Sequence, residues 1–129
     1  MTREEVRGIK HDCARLIADY ANRNDAADWA GVAALFVENG RLARPTAPND
    51  WITGHDAILS AFLARPARTT RHLCTNIVID VIDRDRARGY SAVALFLADD
   101  LVKIGSFDDA FVRTAAGWRF AERHGSLTF

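Results

Sequence analysis

No stretch of this sequence approaches the ~18 consecutive apolar residues that a membrane-spanning helix requires,. An excess of charge of either sign is missing too, since 17 Lys and Arg balance 17 Asp and Glu. Without a basic footprint, neither nucleic acid nor an anionic membrane is an expected partner. The start, Met1-Thr2-Arg3-Glu4-Glu5, is charged and shows no signal-type apolar region, so the cytoplasm is the expected location,. Cysteine is scarce. Cys13 and Cys74 stand far apart, outside any Cys-x-x-Cys or Cys/His spacing, and read as thiols in a reducing compartment,. His11, His55, His72 and His124 form no His-x-His or His-x-x-x-His pair, so no metal site is expected,. No repeat, low-complexity segment or linker divides the chain, and the expectation is a single domain over 1–129.

What is present begins with helical patterning. Thr2 and Glu5 fit a capping box, and Val6, Ile9, Cys13, Leu16, Ile17 and Tyr20 recur at helical spacing, predicting a helix from about 3 to 23,. Asn22-Arg23-Asn24-Asp25 breaks it. Asp28 then caps a shorter helix with Trp29, Val32, Leu35 and Phe36 inward, which Asn39-Gly40 is expected to end. Arg41–Arg44 reads as a short strand, and 45–50, with two prolines, as a loop,. A second box, Thr53 to Asp56, opens a helix with Ile58, Leu59, Phe62 and Leu63 on one face, stopped by Pro66; His55 in its first turn should be solvated,.

After Pro66 the period becomes strand-like. Residues 70–83, 87–98, 101–114 and 118–127 read as long strands joined by tight turns, hence an antiparallel meander,. Helices first and sheet after make the class α+β. The first of these strands is the most informative. Alternation puts His72, Cys74, Asn76 and Val78 on one mixed face, suited to a pocket wall, and Leu73, Thr75, Ile77 and Ile79 on the other, greasy one. His72 by itself reads equally as a wall histidine bonded to backbone, and Asp25 as an ordinary turn carboxylate.

Several sequence words now fall in a familiar order. Asn24-Asp25-Ala26-Ala27-Asp28-Trp29, Leu35-Phe36 and Gly54-x-Asp56-Ala57-Ile58 resemble the N-terminal half of a SnoaL-like domain. Arg71-His72-Leu73-Cys74-Thr75-Asn76, Gly105-x-Phe107-x-Asp109 and Gly117-Trp118-Arg119 resemble its strand half. The resemblance, to the nuclear-transport-factor-2-like superfamily, spans nearly the whole chain. It implies a cone: a curved antiparallel sheet wrapped around N-terminal helices, with a pocket at the wide end and a homodimer through the outer sheet face. The nearest branch in motif contains scytalone dehydratase and hexachlorocyclohexane dehydrochlorinase, whose aspartate–histidine dyad would correspond to Asp25 and His72.

That correspondence implies a cofactor-independent lyase, of dehydratase or dehydrohalogenase type, or an isomerase, acting on a small, apolar, cyclic molecule. His72 would be the base and Asp25 would orient it and stabilise its charge. Tyr20, Asn24, Arg44, Cys74, Asn76 and Phe107 are the candidate substrate-binding residues, with Arg44 suited to an anionic or carbonyl-bearing ligand. The surroundings depart from the scytalone dehydratase pattern: Asn24 replaces one tyrosine, Arg44 falls near a second, and Lys103-Ile104-Gly105-Ser106 lacks a second histidine. Neither the acid–tyrosine set of ketosteroid isomerase nor the Asp-Arg-Asp set of limonene epoxide hydrolase can be assembled. The alternative, from another class, is a non-catalytic ligand-binding or partner-subunit domain, like the small subunit of ring-hydroxylating dioxygenases. Asp108-Asp109 has no basic partner that the sequence identifies.

Overall fold

The apolar stripe of the first helix needs a surface to cover it, and the sheet supplies one. The computed structural model describes all 129 residues. The first helix, α1, runs Arg3–Asp25; Thr2 accepts from the Glu5 amide, Glu5 returns the bond, and the capping box is closed. Ile9, Cys13, Leu16, Ile17 and Tyr20 are buried on one side of it. Its far end is a Schellman turn, in which the Asp28 amide donates to the Arg23 carbonyl and the Ala27 amide to the Asn24 carbonyl,. Ala27 holds the left-handed position at φ 55°, where a Cβ is unfavourable,. Ala27→Gly is accordingly expected to raise stability by roughly 1 kcal/mol, read as a higher urea midpoint at unchanged slope.

Beyond the turn come α2 (Trp29–Ala33), β1 (Phe36–Ala43), β2 (Trp51–Thr53), α3 (His55–Leu63), β3 (Thr70–Val81), β4 (Arg86–Leu97), β5 (Val102–Thr114) and β6 (Gly117–Leu127). The six strands form one sheet in the order β2-β1-β6-β5-β4-β3. β3 to β6 are the expected antiparallel meander, while β1 adds to β6 in parallel and β2 pairs antiparallel with β1. α1 lies in the hollow of this sheet against β3, β4 and β6. Tyr20 sits at the aromatic centre, edge-on to Phe36, Phe62, Phe107 and Phe120 at 5.8–6.4 Å. Cys13 is fully buried here, and burial, with Asp12 and Asp109 nearby, pushes its thiol up to about 12. It packs rather than reacts.

Several expectations are corrected. The second helix stops at Ala33, because the Phe120 amide donates to the Leu35 carbonyl at 2.8 Å and draws the chain into the sheet. Leu35 and Phe36 are inward as expected, but Asn39-Gly40 is a sheet irregularity between the pairs Phe36–Phe120 and Arg41–Glu122, not a helix end. Thr53 ends β2 and does not cap α3, whose N-cap is Gly54 with no side-chain bond. His55 is half-buried, its Nε2 on the Phe36 carbonyl, and Leu63 points out to solvent.

The last concerns β3. Asn76 takes φ 53°, and the pairing with β4 shifts register between Thr75 and Val78. This bulge inverts the alternation: His72 and Cys74 are inward-facing before it, Ile79 and Val81 after it,. Asn76 is therefore exposed and faces away from the pocket, and Val78 is 54% exposed. No helix is long and apolar enough to cross a membrane.

Candidate functional site

The end of α1 and the start of β3 are far apart in sequence and meet across the mouth of the hollow. Asp25 closes α1, where the negative end of the helix dipole disfavours a carboxylate by roughly 0.3–1 kcal/mol,. Three donors offset this. Thr70 Oγ1 donates to Oδ1 at 2.9 Å, the His72 amide to Oδ2 at 2.9 Å, and the His72 ring meets Oδ1 through Nδ1 at 2.6 Å. Side-chain exposure is 8% for Asp25 and 13% for His72, so the pair is largely out of water. A carboxylate accepting from Nδ1–H fixes the tautomer with its lone pair on Nε2. Burial lowers the His72 pKa below its ordinary value, and this outweighs the upward pull of Asp25. The imidazole is thus neutral near pH 7.

His72 lines a cavity of about 280 Å³ between α1, α3 and the sheet. Phe62, Val93, Leu95 and Phe107 give it apolar walls, while Tyr20 and Asn24 contribute from α1. Tyr20 is buried, and burial raises its hydroxyl pKa, so it stays protonated. For comparison, an apolar cavity of roughly 150 Å³ holds one benzene. A substituted ring fits.

Of the predicted site residues, the structure brings Tyr20, Asn24, Arg44, His72 and Phe107 to this cavity, with Asp25 directly behind His72. Cys74, half-buried, packs against the core beneath, and burial raises its thiol pKa. Asn76 is not part of the site, because the bulge turns it outward. Arg65, Arg68 and Lys103 also line the cavity and were missed by sequence reasoning. The signal for Lys103 was available: it shares a strand face with Gly105 and Phe107, at steps of two. Arg65 and Arg68 flank Pro66 in the loop after α3, where nothing local marks them.

Arg65 is held on three sides. Its Nη2 donates to Asn24 Oδ1 at 3.3 Å, and its guanidinium carbon lies 5.1 Å from the Trp29 ring centre and 4.7 Å from that of Phe62. Its pKa is lowered, mainly by burial and then by the positive charges of Arg68 and Arg44.

Beneath the cavity floor Asp109 does have its basic partner. Arg123 stands opposite it in the β5–β6 ladder, with Nε 3.0 Å from Oδ1 and both side chains fully buried. Burial raises Asp109 to about 6 despite this partner. The guanidinium carbon also lies 3.8 Å from the Phe107 ring centre and 4.3 Å from that of Tyr20.

A family model for the SnoaL-like domain matches residues 9–124. A candidate scytalone dehydratase from Novosphingobium aromaticivorans superposes with TM-score 0.87 at 24% identity, covering 99% of this chain and 89% of that one. A hexachlorocyclohexane dehydrochlorinase of type 2 superposes with TM-score 0.85 at 14% identity, covering 99% and 90%. A protein of unknown function from Mycobacterium tuberculosis gives TM-score 0.80 at 27% identity, covering 90% and 74%. No curated protein matches. At such identities the first two likenesses concern the fold.

Proposed function

Because this chain belongs to the SnoaL-like domain family, and its fold is that of nuclear-transport-factor-2-like proteins, we propose that it is a cofactor-independent proton-transfer enzyme. The reaction is an elimination, as in a dehydratase or dehydrohalogenase, or an isomerisation, on a compact ring-bearing substrate. The observation that carries this reading is the 2.6 Å contact between Asp25 and His72 Nδ1 at the wall of an apolar cavity.

The chemistry follows from the two nitrogens. With Nδ1 held by Asp25 and His72 lining the cavity, Nε2 is the nitrogen left to take a proton from a substrate carbon. The electrons of that C–H bond form the new double bond. In an elimination a leaving group departs from the adjacent carbon with its bonding pair; in an isomerisation an existing double bond shifts along and its far atom takes the proton back from His72. As His72 gains positive charge, Asp25 stabilises it, and low exposure makes that interaction stronger than it would be in water. A lowered histidine pKa keeps the base in its working form at neutral pH,. Two free thiols agree with a cytoplasmic location,.

The test is incubation in deuterated water with ring compounds bearing an acidic C–H, with and without a β-leaving group, followed by NMR. Deuterium incorporation or alkene formation that disappears in His72→Ala supports the reading. Equal rates in both proteins refute it, and the ligand-binding alternative then takes its place.

The same reading includes a homodimer. The outer face of the sheet exposes Leu73 (53%), Phe96 (40%) and Val102 (48%), which lie together through the pairs Arg71–Phe96 and Phe96–Val102. Such a contiguous apolar patch suits an isologous interface. Leu73→Glu and Phe96→Glu are each expected to convert a dimer to monomer in sedimentation velocity. A wild-type protein that sediments as monomer would refute the interface.

A further inference from the structure

The chain is electrically neutral overall, yet its cavity is not. Arg44, Arg65, Arg68 and Lys103 line it, and no aspartate or glutamate does. None of the four makes an ion pair with any carboxylate of the chain. Two acids bonded to residues in or against its wall are already committed, Asp25 to Thr70 and His72 and Asp109 to Arg123. Arg44, Arg65 and Lys103 are half-buried and Arg68 is exposed, so the positive charge runs from solvent into the cavity.

Arg65 is the one whose setting is most fully defined. Like charges gathered without counter-charge repel one another, and a cation withdrawn even partly from water is seldom left unpaired. Arg65 is nevertheless fixed there by Asn24, Trp29 and Phe62, with its buried Nε donor lacking any partner in the chain. A guanidinium pre-set in this way matches the planar oxygens of a carboxylate. We propose that the substrate is an organic anion: an apolar ring body against Phe62, Val93 and Phe107, bearing a carboxylate that Arg65 grips and the other three cations steer inward. This names the substrate class of the site and rests on the reading of the cavity as a substrate site. It adds a charged group to the small, apolar, cyclic molecule that the family resemblance implies.

Geometry then orders the molecule. With its carboxylate at Arg65, the ring is presented to His72 across the cavity, and the C–H to be broken lies on the ring or one carbon from it. The steering cations act before contact and should make association salt-sensitive.

The experiment compares matched probes at constant ionic strength: benzoate, phenylacetate and cyclohexanecarboxylate against their uncharged amides, each in the millimolar range, by thermal unfolding and calorimetry. Acids should raise the unfolding midpoint and amides should not. Arg65→Gln should weaken acid binding by about 10- to 100-fold, the loss expected when a hydrogen bond to a charged group is removed. If Arg65→Gln fails to fold, Lys103→Met takes its place, with a smaller loss of acid preference. Amides that bind as well as acids, acids that bind no less to the variants, acids that do not bind, or inorganic phosphate as effective as benzoate would each overturn the proposal. The two readings fail separately. Undiminished turnover in His72→Ala removes proton transfer and leaves acid binding untouched, whereas acid-blind binding removes only the present inference.

Discussion

Replacing His72 by alanine is expected to lower kcat/KM by about 10²- to 10⁴-fold, the usual contribution of a positioned general base. The protein should remain folded, because His72 is only half-buried as a residue and the Thr70 donor to Asp25 survives. The wild-type pH profile supplies an independent readout. Since burial lowers the His72 pKa, kcat/KM should climb with pH through a value below the ordinary ~6.5 of histidine and stay level above it,. Asp25→Asn removes the main influence that raises this pKa. Its acid limb should therefore move to lower pH while the plateau falls, by less than in His72→Ala. A plateau unchanged in His72→Ala would take the residue out of the mechanism.

The second large effect concerns stability. Arg123→Met is expected to destabilise the fold by about 3–5 kcal/mol, because it leaves a buried carboxylate without compensation. Against a total of about 5–15 kcal/mol that is severe. The double variant Asp109→Leu with Arg123→Met should recover most of the loss, since apolar groups of similar size replace a buried pair at little cost. Asp109 titrates near 6 in the folded protein and near 3.8 when unfolded. A carboxyl with a raised folded pKa contributes stability at low pH that is lost as pH rises from about 4 to 6. Without Arg123 the folded value rises further, so the deficit of Arg123→Met should be smaller at pH 5 than at pH 8. Urea unfolding of variant and wild type at both values measures this. A larger deficit at pH 5 would mean that charge on Asp109 is not what Arg123 compensates.

These two sites were legible in the sequence to different degrees, for physical reasons. Asp25 and His72 could be paired because helix-end and strand-start patterns were strong, and the resemblance joined them. Local patterning also predicted α1, α3 and the four long strands. It failed where non-local pairing overrode local spacing: Leu35-Phe36 suit a helix face equally well, and only the bond to Phe120 decides otherwise. Arg123 was hidden by a register shift. Trp118 and Phe120 point inward, and strict alternation would send Glu122 in and Arg123 out, but β6 takes an extra residue between Phe120 and Glu122. Asp109 was more accessible to reasoning, since Phe107 and Phe111 flank it on one strand face. An acid between two phenylalanines at steps of two requires a buried cation opposite. The missed cavity cations belong to the same problem: a charge reads as solvated until the fold shows that no acid accompanies it.

The left-handed residue at Asn76 has one further consequence. β3 is anchored at two points, by the hydrogen bonds of His72 to Asp25 and by Ile79 in the core, which lie an odd number of residues apart. On a regular strand, residues separated by an odd step can never look the same way. The spare residue between them settles that parity conflict. Deleting Asn76 would force the chain to surrender one anchor or the other, while moving the bulge by one position along β3 would preserve both. The length of this segment is thus quantised: changes by two residues can be absorbed, and a change by one cannot.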